Sequence, residues 1–201
     1  MRPTDEGRAG QKARTRAALL EAARKLMREG ELVTVSSVAD LAGISRATAY
    51  RYFSDPQTLT IEALLDSRMQ STAAILGDST DPRERVQRVR RFLFQLTRDS
   101  EAQFRQYLAR TMELWLDGEG KSVEMIRGGR RLPMYREALA PAADRLEADA
   151  LERLVMMLAA TSGMESYIAL KDVCRLDDMA AEAIAEAVTD TILDGFLPRG
   201  D

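Results

Sequence analysis

Two arginines and a tyrosine share one side of a short stretch, Arg46 to Phe53. Placed on a helix, Arg46, Ala47, Tyr50 and Arg51 lie together, while Ala49 and Phe53, four apart, point the other way. Thr48 and Tyr52 flank the two faces. Guanidinium and phenol groups set opposite an apolar pair suit hydrogen bonds to base edges and phosphates without building a core. The chain offers little other chemistry. It has no histidine and one cysteine, Cys174. Zinc ligation of the usual nitrogen and sulfur kind and an intrachain disulfide are therefore excluded. Acid–base work would fall to carboxylates, lysines or tyrosines, and no catalytic constellation of them is visible. Asp177-Asp178 and the group Asp144, Glu147, Asp149 read as helix starts, where the dipole favours negative charge. Cys174, with Arg175 its one basic neighbour in sequence, reads as a buried or half-buried structural thiol, with a redox sensor as the lesser alternative. We expect no enzyme, no cofactor and no metal site.

The elements that must hold Arg46 to Phe53 in place are legible on either side of it. Thr34 is an N-cap for a helix through Ala42, with Val35, Val38, Ala39 and Ala42 at helical spacing. Gly43 stands where a tight turn needs the left-handed conformation. Ile44 plugs the turn, and Ser45 caps the second helix. Before them, Lys12 to Arg28 carries Leu19, Ala22, Ala23, Leu26 and Met27 on one face, and Gly30 ends it. The stretch before Lys12 is polar, with Gly7 and Gly10, and reads as disordered. Arg2, Arg8, Lys12 and Arg14 make it either a basic arm near DNA or a solvated tail.

Taken together, Val38-Ala39-Asp40-Leu41-Ala42-Gly43-Ile44-Ser45, then Thr48, Tyr50, Tyr52-Phe53 and Leu59, resembles the DNA-binding domain of the tetracycline-repressor (TetR) family. The likeness runs ungapped back through Arg16, Leu20, Ala22, Ala23, Leu26 and Gly30, so it covers about the first sixty residues. It implies a helix-turn-helix head in which Arg46, Ala47 and Arg51 meet bases, with Ser36 reaching in from the preceding helix. Thr48, Tyr50 and Tyr52 would meet phosphate, as would Thr34, Arg16 and the cap residue Ser45 more marginally. Arg16 enters only through the family, where the start of the first helix lies against the DNA backbone. The chain departs from the family pattern at Pro56, where many members carry a phosphate-binding lysine, and at Ala47 and Ala49, where glycine or proline and leucine are frequent.

Charge is distributed in keeping with such a head. Residues 1–55 hold ten Lys/Arg against seven Asp/Glu, while the rest hold nineteen against twenty-five. A basic end on an acidic body suits contact with phosphate, although ordinary scatter of surface charge gives the same figures. At 201 residues, 45 % apolar and 30 % charged, the chain has the composition of a globular protein. No run of about eighteen apolar residues spans a membrane, and no apolar signal core precedes the first helix. We expect a cytoplasmic protein.

Beyond Phe53 the pattern stays helical. Pro56 to Leu76, capped by Ser54 or Asp55, reads as one helix joining the head to the body. Pro82 to Arg98 is rich in arginine, a second nucleic-acid surface on one reading and a charge-balanced helix on the other. Glu101 to Asp117 places Phe104, Tyr107, Leu108, Thr111, Met112 and Trp115 on one face. Phe104, Tyr107, Met112 and Trp115, with Met157 and Met164 further on, are candidates for an effector pocket, although a plain core stripe is the competing reading. A glycine-rich loop follows from Asp117 to Arg131. Then come a short helix to Leu139, a long helix from Glu147 to Asp172 with Gly163 inside it, and a last helix from Asp177 to Leu197. Ala180, Ala183, Ile184, Ala187, Val188, Thr191, Ile192, Gly195 and Phe196 form an unbroken stripe on the last helix. In the family the last two long helices pair with those of a second subunit.

The expected molecule is all-α, with about nine helices. Residues 1–55 form a three-helix DNA-binding head and residues 56–201 a helical ligand-binding and dimerisation body. The resemblance implies a homodimeric, sequence-specific transcriptional regulator on near-palindromic double-stranded DNA, a repressor released by a small-molecule effector. An activator, or a ligand-binding protein whose head is weakened by the loss of lysine at Pro56, are the alternatives.

Overall fold

The computed structural model describes residues 5–116 and 129–197. Among the described residues there is no strand, and eleven α-helices carry the architecture: α1 Asp5–Glu29, α2 Val35–Ala42, α3 Arg46–Tyr52, α4 Pro56–Asp66, α5 Thr72–Leu76, α6 Pro82–Arg98, α7 Glu101–Leu114, α8 Arg131–Leu139, α9 Ala148–Ala160, α10 Met164–Asp172 and α11 Asp178–Phe196. A 3-10 segment, Ala140–Arg145, follows α8 where Pro141 interrupts it. The all-α expectation holds. None of these helices is long and apolar enough to cross a membrane.

The helix count exceeds nine because two stretches that read as continuous are broken. The first break separates α4 from α5. Ser67 donates to the Leu64 carbonyl at 2.6 Å, and Ser71 caps α5 by accepting from the Ala74 amide at 3.2 Å. Short hydroxyl side chains offer the backbone local partners that compete with helix continuation. The second break lies at Gly163, with φ 87° and ψ −162°, a region open essentially only to glycine. Gly163 therefore separates α9 from α10, where the sequence reads as one long helix from Glu147 to Asp172. The Arg131 side chain fills the space a Cβ would occupy, with its Nη1 2.7 Å from that position. Arg131 donates to the Ser162 carbonyl and pairs with Glu165.

Two further expectations are corrected. α1 begins at Asp5 rather than at Lys12. Cys174 is exposed, not buried, in the turn between α10 and α11. The glycine-rich stretch from Asp117 lies mostly outside the described residues, as do Met1 to Thr4.

The chain divides into two compact units, Met1–Met69 with Arg105–Gly128, and Gln70–Phe104 with Gly129–Asp201. In the first, α1 packs on α2 and α4, and α2 on α3. The core contains Leu19, Leu20, Ala23, Val35, Val38, Ala39, Ala49, Phe53, Leu59 and Ala63, with Leu26, Met27 and Ile44 against it. In the second, α6 is central and packs on α5, α8, α10 and α11. Phe94 meets Tyr167 edge-on at 5.2 Å. The Tyr167 hydroxyl lies within hydrogen-bond distance of both Glu101 and Asp178, and burial with these two carboxylates pushes its pKa up.

On α11 the buried residues are Ala181, Ala185, Thr189 and Leu193. The stripe read from the sequence is the opposite one, and Ala183, Ile184, Ala187, Val188 and Thr191 are all exposed. Both faces of this helix are apolar, and one is covered within the chain.

Candidate nucleic-acid interface

The site is built from the caps inward. Thr34 accepts from the Ser37 amide at 2.9 Å, and Ser37 Oγ accepts from the Thr34 amide at 3.0 Å, a reciprocal box that starts α2. At the other end Gly43 takes φ 65° and ψ 29°. Its amide bonds the Asp40 carbonyl, and the Ile44 amide reaches the Ala39 carbonyl at 3.0 Å. This crossed pair closes the turn only if the residue at Gly43 tolerates the left-handed conformation. Ser45 then caps α3, accepting from the Thr48 amide at 3.2 Å and donating to Thr48 Oγ1 at 2.9 Å. Asp55 caps α4 through the amides of Gln57 and Thr58 at 2.9 and 3.0 Å. Burial pushes the Asp55 carboxyl up, but the Thr58 hydroxyl and amide and the Arg110 guanidinium outweigh it and hold the group below its ordinary range.

These caps fix a seven-residue helix with two dissimilar sides. Ala49 and Phe53 are fully buried. Arg46, Ala47, Tyr50 and Arg51 are exposed. Tyr50 and Ser36 bring their hydroxyls to 3.5 Å, so the start of α2 and the outer face of α3 present one surface. Among the described residues Arg51 has no hydrogen bond or ion pair. Arg46 pairs with Asp40 at 2.7 Å, but both side chains are well exposed, and such a pair is easily exchanged for another anion. Donors held on a rigid base and facing water are what contact with phosphates and base edges requires.

Residues 19–63 match the family model described as bacterial regulatory proteins, tetR family. The matched segment runs from within α1 to within α4 and takes in the whole turn between α2 and α3. The chain is 28 % identical over 189 residues to the HTH-type transcriptional regulator BetI of Rhizobium meliloti (strain 1021), across 92 % of this chain and 76 % of BetI. Among solved structures it is similar to a TetR transcriptional regulator from Rhodococcus sp. RHA1, at TM-score 0.47 and 23 % identity, over 90 % of this chain and 97 % of that one. A putative TetR-family transcriptional regulator from Mesorhizobium loti MAFF303099 gives TM-score 0.37 and 19 % identity, over 92 % of this chain and 98 % of the other.

Against this family background the ten head residues read from the sequence do not all stand alike. Ser36, Arg46, Ala47, Tyr50 and Arg51 are brought together. Thr34 and Ser45 are caps, and Thr48 is a half-buried partner of Ser45. Tyr52 is only 7 % exposed and belongs to the core of the head, so it is not the open phosphate donor expected. Arg16 is turned inward, paired with Glu62 and lying 5.0 Å over the Phe53 ring. Asp40 and Glu62 went unread. Asp40 meets Arg46 across the turn, a spacing that no single-helix rule covers. Glu62 did leave a signal, because a carboxylate inside Leu59-Thr60-Ile61-Glu62-Ala63-Leu64-Leu65 needs a charged partner if it is buried.

The six effector candidates are dispersed. Tyr107 and Met164 are buried and Phe104 is half-buried, whereas Met112, Trp115 and Met157 are exposed. None of them lines the groove of about 330 Å³ between α5 and α6, which is bounded by Gln70, Ala74, Ile75, Arg88, Arg91, Phe92 and Gln95. Among the described residues no cluster of carboxylates or cysteine has the makings of a metal site.

Proposed function

We propose that this chain is a homodimeric, sequence-specific repressor, acting in the cytoplasm, that leaves a near-palindromic operator when a small molecule binds its body. The observation that carries the DNA-reading part is the outer face of α3, which is rigidly backed, exposed and furnished with Arg51, Arg46, Tyr50 and Ala47 beside Ser36. Arg46 and Arg51 read bases, with Ala47 and Ser36 packed beside them. Tyr50 and Thr48 hold phosphate. Reading belongs to residues 1–55, and regulation and pairing to residues 56–201.

The uncovered apolar face of α11, with Ile184 at 46 % and Val188 at 37 % exposure, supports pairing with a second copy. Exposed Met156 and Met157 on α9 extend the apolar surface available for it. The α5–α6 groove, with arginine, amide and aromatic groups, and the residues Phe104, Tyr107, Met112, Trp115, Met157 and Met164 are where an effector is sought. An effector shifts the head only to the extent that it binds the two states differently.

Selection from a randomised duplex pool tests the reading directly. The enriched sequence is expected to hold two inverted half-sites about one helical turn, roughly 34–36 Å, apart or somewhat more. A single half-site, or no enrichment, rejects the dimeric reading. Ile184→Glu with Val188→Glu is expected to give a monomer in sedimentation and to lose the two-half-site footprint. The effector claim stands or falls on finding a small molecule that releases the selected duplex.

A further inference from the structure

We infer that Arg16 is a positioning residue of the DNA-reading head and not a phosphate ligand. It holds the recognition helix by its end. The inference rests on α3 being the helix that reads DNA. Arg16 lies on α1, yet its side chain is only 12 % exposed. Its guanidinium does two things at once. It pairs with Glu62 of α4, itself 8 % exposed, and it lies 5.0 Å over the ring of Phe53.

Phe53 is the C-cap of α3, its amide bonded to the Ala49 carbonyl at 3.0 Å, and it is wholly buried. One planar cation therefore joins three elements: the helix it stands on, the helix that follows the reading helix, and the last turn of the reading helix itself. Guanidinium is the side-chain group suited to this, because it offers a flat face to a ring and a donor edge to a carboxylate simultaneously. Two turns further along α1, Arg24 pairs with Asp66 of α4, with 18 % and 23 % exposure, so α4 is fastened to α1 at a second point.

A phosphate role would require Arg16 to leave this place. Glu62, with almost no access to water, would then lose this pairing, and breaking a buried pair is costly. A phosphate on the surface of a duplex, already well solvated, offers no matching gain. Arg16 accordingly stays with Glu62 in the complex as in the isolated protein. Its contribution to affinity is indirect, through the angle at which Arg46, Tyr50 and Arg51 meet the groove.

The two roles differ in salt dependence. A lysine or arginine on phosphate contributes about one unit to the slope of log K against log salt, and its removal lowers that slope by about one. Binding of the duplex selected by the wild-type protein is measured from 50 to 200 mM salt for Arg16→Ala, Arg16→Lys, Glu62→Gln and, as a surface reference, Arg51→Ala. Arg16→Ala and Glu62→Gln are expected to weaken specific binding by a similar factor, on the order of tenfold, with the slope unchanged. The double variant is expected to be no worse than either single one, as for two members of one pair. Arg16→Lys is expected to lose affinity although it keeps a charge within reach of the backbone. A slope lowered by about one in Arg16→Ala, or full affinity in Arg16→Lys or Glu62→Gln, overturns the assignment.

Circular dichroism identifies any variant that fails to fold, and the remaining ones decide. If the wild-type protein selects no duplex, the reading of α3 fails, and the position of Arg16 is still tested by nuclear magnetic resonance. Its side-chain protons are expected to show an upfield ring-current shift that disappears in Phe53→Leu. Unshifted protons in the wild type overturn the assignment without any DNA.

Discussion

α6 carries Arg83, Arg85, Arg88, Arg90, Arg91 and Arg98, three times as many arginines as α3 with Arg46 and Arg51. By count alone α6 is the better nucleic-acid helix. The partners reverse that ranking. Arg83 pairs with Asp194 and donates to the Leu197 carbonyl. Arg85 donates to the carbonyls of Ala138, Ser79 and Glu137, and Arg88 holds Glu84 and the Leu76 carbonyl. Arg90 lies buried between Gln87 and Glu182, and Arg98 pairs with Asp99. Arg83, Arg85, Arg88 and Arg90 are fastenings between elements of one unit, Arg98 is matched by its neighbour in sequence, and a charge already matched has little left to offer a phosphate. The two on α3 have one exposed partner between them. What distinguishes a nucleic-acid surface is the availability of its donors rather than their number.

The largest expected effect lies on the α6 side. Arg90→Ala removes a guanidinium only 2 % exposed and leaves Glu182 without its nearest cation. Breaking a fully buried pair costs about 3–5 kcal/mol. Glu182 is 28 % exposed and recovers part of its hydration, so we expect roughly 2–3 kcal/mol of lost stability, with little change in operator affinity per folded molecule. Denaturant melts measure the first and mobility shifts the second. A variant that melts as wild type but binds DNA poorly would exchange the roles given to the two helices.

Arg51→Ala is the counterpart on α3. With no hydrogen-bond or ion-pair partner among the described residues to lose, it should leave stability unchanged. Operator binding should fall by about 1–3 kcal/mol, with relaxed preference at one base position. Equal loss on the selected duplex and on random DNA would reduce Arg51 to a phosphate contact.

The contrast between the helices also explains how much was legible beforehand. The turn of the head is a local device, so Thr34, Gly43, Ser45, Ala49 and Phe53 could be assigned from spacing of ten residues or fewer. Tyr52 was misplaced because a helix of two turns, ending beside Phe53, has no sharp boundary between its faces. Arg16 and Glu62 are 46 residues apart in sequence, and the arginines of α6 find partners up to 114 residues away. Periodicity carries no information about such pairings. Gly163 was visible as an oddity inside an apolar pattern, but a glycine there reads equally as close packing or as a break until its φ is known. The α11 stripe was seen clearly, but an apolar face by itself does not say which partner covers it.

Asp55 gives a smaller and pH-dependent effect. Its carboxylate caps α4 and meets Arg110 at 3.4 Å, and its pKa is held below the ordinary 3.8. A depressed carboxyl stabilises the fold while ionised. Its contribution is complete above about pH 4 and is lost as the pH falls through the lower, folded-state value. Asp55→Asn keeps a cap of similar quality but forfeits the charge. The variant should be less stable at pH 7 by on the order of 1 kcal/mol, and the gap from wild type should close on acidification. A gap that stays constant from pH 7 to pH 3 would show that the charge does nothing.

The smallest expected effect is the sharpest test of the comparison. Arg91 is the exception on α6, exposed and with no hydrogen bond or ion pair among the described residues. In availability it resembles Arg51. In surroundings it does not, since the neighbouring Arg88 is engaged with Glu84 and Leu76, Arg90 is buried, and Glu84 itself adds negative charge nearby. A single exposed cation beside a carboxylate lacks the cluster of donors that would orient it on a duplex. Arg91→Ala is therefore expected to leave operator affinity and its salt slope unchanged within error, while Arg51→Ala lowers the affinity. If Arg91→Ala lowers the salt slope by about one, a free arginine suffices wherever it stands, and the backing supplied by the caps of α2 and α3 is not what makes a donor available to DNA.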